Sequence, residues 1–81
     1  MKRSRFEIMV DILSSAKEGV NKTKVVYEAY LNFKQAEDYL NFLMEAELIS
    51  TDSNGNQTIY QTTDKGLEMM ERYKDLIELN P

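Results

Sequence analysis

The spacing of apolar residues changes at Leu48, and this change constrains the fold more than any other feature of the sequence. Up to Ala46, apolar residues recur at the three- and four-residue intervals of amphipathic helices. Over residues 48–62, two runs rich in β-forming residues flank a polar stretch at 53–56. Helical spacing then returns and continues to Leu79. The predicted order is three helices, a two-stranded hairpin and a fourth helix, an α+β fold that is mostly α.

The first helix is predicted to begin after Ser4. This residue is a favourable N-cap, and Glu7 three residues later completes a capping box. Apolar residues follow helical spacing from Phe6 to Ala16, and Gly19 then provides a C-terminal stop.

Two more helices are predicted before the hairpin. We expect Thr23 to cap a short second helix whose apolar residues extend to Tyr30. We expect Asn32 to cap a third helix, about residues 32–46, with a broad apolar face and a polar opposite face. A tight turn at Leu31 and Asn32 joins these two helices.

The hairpin carries a clear turn signal. Asn54-Gly55 is the strongest short hairpin dipeptide, because both residues tolerate the positive φ of a type I′ turn. If they form the turn, Ile49 lies opposite Tyr60 and the ribbon has one apolar patch. After the hairpin, Thr63 is predicted to cap the final helix.

The composition favours one small domain without a catalytic or metal site. The chain has 81 residues with 42% hydrophobic content, so we expect a single domain over residues 1–81. It contains no cysteine and no histidine, which excludes disulfides, thiolate metal sites and the commonest metal ligand. The usual general base near neutral pH and the cysteine nucleophile are excluded as well. We therefore expect no metal, no cofactor and no enzyme activity.

The N-terminal segment bears on localisation. Charged residues appear there before any apolar run long enough for a signal peptide or a membrane span. We therefore expect a cytoplasmic protein without a membrane partner.

Charge is unevenly distributed along the chain. The net charge of −4 argues against nucleic acid, because Lys and Arg must neutralise phosphates. Residues 1–30, however, contain six cations and four anions, a balance of +2, whereas residues 47–81 contain three cations and seven anions, a balance of −4. The acidic C-terminal third can therefore face away from DNA.

Two short helices joined by a tight turn and followed by a ribbon with a polar tip are the parts of a winged helix-turn-helix. The chain resembles the small archaeal winged-helix DNA-binding proteins, the ArnR-like group that includes archaeal chromatin-associated proteins with a C-terminal coiled coil. The resemblance covers nearly the whole chain. Short motifs carry it, in this order: Lys22-Thr23-Lys24, Tyr30-Leu31-Asn32-Phe33, Tyr39-Leu40, Leu43-Met44, Leu48-Ile49, Tyr60 and Thr63-Asp64-Lys65-Gly66.

The chain departs from this group at two points. Many members have glycine where this chain has Glu47, and some have a much longer final helix. The resemblance implies a double-stranded DNA partner, a role in transcription regulation or chromatin, and association with the nucleoid. It also implies a homodimer, whose interface the shorter final helix makes smaller or differently built.

The third helix is predicted to lie in the major groove. Side chains that donate and accept hydrogen bonds read base edges there, which makes Lys34, Gln35 and Asn41 the candidates, together with Asn32 at the helix start. The alternative is an ordinary solvated helix face.

Other DNA contacts are expected from three places. The start of the second helix can hold phosphate, Arg3 and Arg5 can form a minor-groove arm, and the wing tip can touch the backbone or the minor groove. The alternatives are a plain cap at Thr23 and disordered charge at the N-terminus. Because the wing tip lacks Lys and Arg, its contact is expected to be weak. The candidates at the second helix and the wing tip are Lys22, Thr23, Lys24, Asn54 and Asn56.

The final helix, residues 63–79, is longer than the closure of a small core requires. We therefore predict that it mediates dimerisation through Met70, Tyr73, Leu76 and Ile77. A symmetric dimer would place two reading helices at successive half-sites.

A second class of function stays open from the residues alone. The acidic balance and the wing without cations also suit a winged-helix module that binds protein and not DNA. Salt-dependent binding to duplex DNA separates the two readings.

Overall fold

Helices and a hairpin follow one another in the predicted order in the computed structural model, which describes residues 3–79. The predicted fold class is confirmed. The elements are α1 (Arg5–Ser15), α2 (Lys22–Glu28), α3 (Phe33–Glu45), β1 (Ile49–Asn54), β2 (Gln57–Thr62) and α4 (Asp64–Leu79).

The start of α1 is the predicted capping box. Ser4 Oγ accepts from the Glu7 N–H at 3.1 Å, and the Glu7 carboxylate accepts from the Ser4 N–H at 2.9 Å. The backbone hydrogen bond from Ser4 holds the pKa of Glu7 below its usual value, because the ionised carboxylate is the better acceptor. The helix ends at Ser15, earlier than predicted, and Gly19 lies beyond it with a φ of +90°.

The predicted cap of α2 is wrong. Asn21, not Thr23, caps this helix, and its side-chain oxygen accepts from the Lys24 N–H at 2.9 Å. Thr23 is the second residue of α2. The reason lies in the preceding residue: Val20 pairs with Tyr60 in an isolated antiparallel bridge, with N···O distances of 2.9 and 2.7 Å. The chain is therefore extended up to Asn21, and the helix begins at Lys22.

The end of α2 also differs from the prediction. Tyr30 lies beyond the helix and has a left-handed backbone, with a φ of +55°. The next residue, Leu31, donates its N–H to the Val26 carbonyl at 3.0 Å. This is the long hydrogen bond of a Schellman motif, with tyrosine at the position that glycine usually takes.

The predicted third helix is confirmed, and α3 ends in a Schellman motif too. The Glu47 N–H donates to the Met44 carbonyl at 3.0 Å, and the Leu48 N–H donates to the Leu43 carbonyl at 2.9 Å. Glu47 has a φ of +63°. Glycine usually takes this position of the motif, and in this chain a glutamate adopts its backbone conformation.

The two strands are confirmed, but the predicted register is wrong by two residues. Gly55 and Asn56 form the turn, so Ile49 pairs with Thr62, and Tyr60 pairs with Thr51. Gly55 has a φ of +66° and Asn56 has a negative φ. This combination is that of a type II′ turn, with glycine first, and not of the type I′ turn expected from Asn54-Gly55.

The core lies between the first three helices and the base of the hairpin. One polar side chain joins it: Thr62 is 6% exposed and donates its hydroxyl to the Leu13 carbonyl at 2.6 Å. Its buried apolar members are Ile12, Leu13, Ala16, Val20, Val25, Ala29, Leu31, Ala36, Leu40, Leu43, Leu48 and Ile49.

The start of α4 packs closely on the base of the hairpin. Thr63 caps this helix as predicted, because its Oγ1 accepts from the Gly66 N–H at 3.1 Å. A Cβ on Gly66 would lie 2.4 Å from the Leu48 carbonyl oxygen and 2.6 Å from the Thr62 methyl group. Only glycine allows this approach.

Two further properties follow from the described residues. Within residues 3–79, no helix is long and apolar enough to cross a membrane. The same residues contain no cluster of three or more carboxylate, histidine or cysteine side chains that could hold a metal ion.

Candidate nucleic-acid interface

The middle of α3 has one buried face and one exposed face. Ala36, Leu40 and Leu43 are at most 1% exposed and fix the helix to the core. The side chains on the opposite face are exposed: Lys34, Asp38, Asn41 and Glu45. The predicted reading residues Lys34 and Asn41 therefore lie together on an accessible face.

The start of α3 is held by a second capping box. Asn32 Oδ1 accepts from the Gln35 N–H at 2.7 Å, and Gln35 Oε1 accepts from the Asn32 N–H at 3.1 Å. Both amides were predicted to contact DNA, and both already bond the helix start through their oxygens. Their amide nitrogens are left as donors.

Two of the predicted DNA-binding cations form ion pairs with α3 carboxylates. Lys34 Nζ lies 3.1 Å from Asp38, one turn along the helix, and this hydrogen bond raises the pKa of Lys34. Lys22 Nζ of α2 lies 3.4 Å from Glu37. Both pairs are at the surface, where an ion pair contributes little stability, so either cation can change partner at low cost.

The start of α2 also carries a cation, Lys24, that is not paired with a carboxylate among the described residues. Lys24 and Thr23 are exposed, and Lys24 forms no ion pair with any residue between Arg3 and Leu79. The ion pair between Lys22 and Glu37 joins the start of α2 to α3, so Lys22 borders the exposed face of α3.

The two N-terminal arginines have different environments. Arg3 donates to Asp11 at 2.7 Å and to the Ala29 carbonyl, so its guanidinium is bound to the helical body and is not a free arm. Arg5, the first residue of α1, is exposed. It lines an open groove of about 360 Å³ between α1 and α3, with Met9, Gln35, Asp38, Tyr39 and Phe42.

The wing presents neutral polar groups. Asn54 ends β1, Asn56 lies in the turn, and both are exposed. The two strands and their turn contain one charged residue, Asp52, and no cation. The wing can therefore offer hydrogen bonds to DNA but no charge neutralisation.

Three exposed aromatic residues near the helix-turn-helix were not among the predicted site residues. Tyr27 is 83% exposed, Tyr30 85% and Phe33 57%. No sequence signal separates Phe33 from a core residue, because it lies three residues before buried Ala36 and so continues the apolar spacing of α3.

The predicted dimer residues on α4 divide into two groups. Met70 and Tyr73 are half-buried within the chain. The Tyr73 ring packs edge to face on the Phe6 ring, with 4.6 Å between the ring centroids. Leu76 and Ile77 lie farther along the helix and are 64% and 54% exposed. Of the four predicted dimer residues, Leu76 and Ile77 therefore have the most apolar surface exposed for contact with a partner.

Two uncharacterised proteins of Methanocaldococcus jannaschii are similar to the chain in sequence. MJ0287 is 30% identical over 79 residues, which cover 96% of this chain and 77% of MJ0287. MJ0290 is 31% identical over 81 residues, which cover 98% of this chain and 36% of MJ0290. The chain thus spans about a third of the length of MJ0290, and both relatives are archaeal, in agreement with the resemblance.

Solved structures and family comparison agree on the fold. Sso10a-2 of Sulfolobus solfataricus, a DNA-binding protein, superposes with a TM-score of 0.87 at 28% identity, covering 95% of this chain and 81% of its own. These comparisons give no support to a module that binds only protein. A family model described as winged helix-turn-helix matches residues 2–80. The chain belongs to the winged helix-turn-helix family.

Proposed function

We propose that the chain binds double-stranded DNA as a transcriptional regulator, with α3 in the major groove. The observation that carries this proposal is the exposed polar face of α3, bordered by the basic start of α2 through the contact between Lys22 and Glu37. The similarity to Sso10a-2, a DNA-binding protein, supports it. We further propose that the protein works in the cytoplasm on the nucleoid, where this partner is found.

The side chains of α3 have different roles in this proposal. Asn41 is exposed, and its amide can donate and accept, as reading of an adenine edge requires. Lys34 can leave Asp38 for a base acceptor or a phosphate. Lys22 and Lys24 neutralise phosphates from α2 and orient the helix without reading sequence.

Binding to duplex DNA of random sequence tests the proposal. The affinity should fall steeply between low and moderate salt, because each phosphate contact releases counterions. Lys34→Glu should weaken binding by about 1–3 kcal/mol. Lys74→Glu makes the same charge change on α4 and should have a much smaller effect. Absence of binding at low salt by a folded protein would refute the proposal.

We propose in addition that the protein is a homodimer through the second half of α4. Leu76 and Ile77 are consecutive exposed apolar side chains, farther along α4 than the half-buried Met70 and Tyr73. A two-fold axis at this position would bury both residues in each copy.

Light scattering after size exclusion tests the dimer. The wild-type protein should have the mass of two chains, and Leu76→Glu should have the mass of one, because a charge is costly in an apolar interface. Lys65→Ala, at the other end of α4, should stay dimeric. A wild-type monomer at high micromolar concentration would contradict the proposal.

A further inference from the structure

Phe33 is the first residue of α3, and its ring is 57% exposed. The ring takes no part in the cap of the helix or in the core beside it. Asn32 and Gln35 form the capping box, and the apolar residues on either side of it, Leu31 and Ala36, are both buried in the core. A large apolar group is therefore exposed to solvent at the N-terminal end of the proposed reading helix. In helix-turn-helix proteins, residues at this end contact base edges.

The polar groups next to Phe33 in the sequence are mainly donors. The oxygens of Asn32 and Gln35 accept from backbone N–H groups in the capping box, which leaves their amide nitrogens to donate. Lys34 follows directly in the chain, and its ammonium group has three donors. An apolar ring flanked by donors has the chemistry to recognise an acceptor beside an apolar group.

Among the four bases, thymine presents this combination in the major groove, with the O4 acceptor next to the C5-methyl group. We propose that Phe33 contacts the thymine methyl group and gives the protein a preference for thymine at the base read by the start of α3. This inference rests on the proposed DNA binding. It assigns specificity to an aromatic residue, whereas Lys34 and Asn41 account for polar contacts.

A second phenylalanine on α3 provides a matched control. Phe42 is 55% exposed, nearly as much as Phe33, but it lies nine residues farther along the helix, on the groove that Arg5 and Met9 line. Removal of either ring takes away a similar amount of exposed apolar surface. Only removal of Phe33 takes a ring from the start of α3.

The experiment compares two duplexes that differ only in the methyl group, alternating adenine–thymine and alternating adenine–uracil. Wild-type affinity should be about fourfold higher for the thymine duplex, the value that corresponds to burial of one methyl group at ~0.8 kcal/mol. Phe33→Ala should bind both duplexes equally. Phe33→Leu should keep part of the preference, and Phe42→Ala should keep all of it.

Each other outcome is decisive. Equal wild-type affinity for the two duplexes would overturn the role of Phe33 and leave the proposed DNA binding intact. A thymine preference that survives in Phe33→Ala would assign methyl recognition to another residue and would also overturn it. Absence of binding to either duplex by the folded wild-type protein would refute DNA binding itself, and this inference with it. Circular dichroism of each variant establishes that α3 is folded.

Discussion

Tyr30 and Glu47 have left-handed backbone conformations without being glycine. For a residue with a Cβ this conformation costs roughly 1–2 kcal/mol. The Schellman hydrogen bonds at the ends of α2 and α3 hold both residues there, because these bonds satisfy helix carbonyls that would otherwise lack partners. The strain is thus local to single residues and can be removed by single substitutions.

Glu47→Gly should stabilise the protein. Glycine removes the strain of the left-handed backbone but loses more conformational entropy on folding, so we expect a net gain of up to about 1 kcal/mol. A gain of this size corresponds to roughly 4–8 °C in Tm for a domain of this length. Glu47→Ala removes the same charge without relieving the strain, and its Tm should not rise. Equal Tm values for the two variants would contradict the prediction.

Gly66→Ala should be strongly destabilising, although alanine has a higher helix propensity by about 1 kcal/mol. The new Cβ would lie 2.4 Å from the Leu48 carbonyl oxygen, so α4 or the base of the hairpin must move. We expect a loss of roughly 1–3 kcal/mol or more in the free energy of unfolding, measured with urea. Glu68→Ala, on the exposed surface of the same helix, is the control and should change stability little.

Acid should weaken the start of α1 through Glu7. Its pKa is lowered in the folded protein, so its contribution to stability is complete above the usual value of 4.5 and is lost as the pH falls through the folded pKa. Glu7→Gln keeps an oxygen acceptor but cannot titrate. Between about pH 6 and about pH 3, the Tm of the wild type should therefore fall more than that of Glu7→Gln. Parallel curves would exclude this role of Glu7.

At the scale of elements, the two candidate caps of α2 give opposite expectations. Asn21→Ala should cost about 1 kcal/mol, because it leaves the Lys24 N–H without its acceptor. Thr23→Ala lies within the helix, so its effect on the free energy of unfolding should be near zero. A larger loss for Thr23→Ala than for Asn21→Ala would contradict the observed helix start. Urea unfolding of both variants measures the difference.

Local signals predicted most elements, and tertiary contacts decided the remaining details. The capping box at Ser4 and the cap at Asn32 follow from residue types at fixed spacing, and both are present. Asn21 and Thr23 are both good caps, so only the bridge between Val20 and Tyr60 selects one of them. That bridge joins residues far apart in sequence and leaves no local pattern.

The apolar pattern could not predict the hairpin register. A shift of two residues leaves every side chain on the same face of a strand, so alternation along Ile49–Asn54 fits both registers equally. The turn type decides between them. Gly55 takes the first central position of the turn, although the adjacent Asn54 could have taken it with a different backbone twist.

The candidate site was predicted in part. Lys34 and Asn41 were found because polar residues opposite an apolar stripe must be exposed. The ion pair that binds Arg3 to Asp11 depends on how the chain folds before α1 and could not be read from composition. Phe33 was missed because its spacing is that of a buried residue.

At the scale of the whole molecule, the proposed dimer makes a prediction about DNA. Two copies related by a two-fold axis should read palindromic half-sites separated by one helical turn, about 34 Å, or a multiple of it. Selection of bound sequences from a random duplex pool measures both the sequence and the spacing. Leu76→Glu should select single half-sites. Single half-sites from the wild type would argue against two coupled reading helices.

The left-handed residues Tyr30 and Glu47 lie in the two short segments that flank α3, one toward α2 and one toward the wing. A residue with a side chain has fewer backbone conformations there than glycine, so both segments are stiff. Because these segments are stiff, α3 loses less motion when it enters a groove, and the entropic cost of binding is lower. The side chains at these two positions thus cost stability and at the same time restrict the backbone motion of the segments that hold α3.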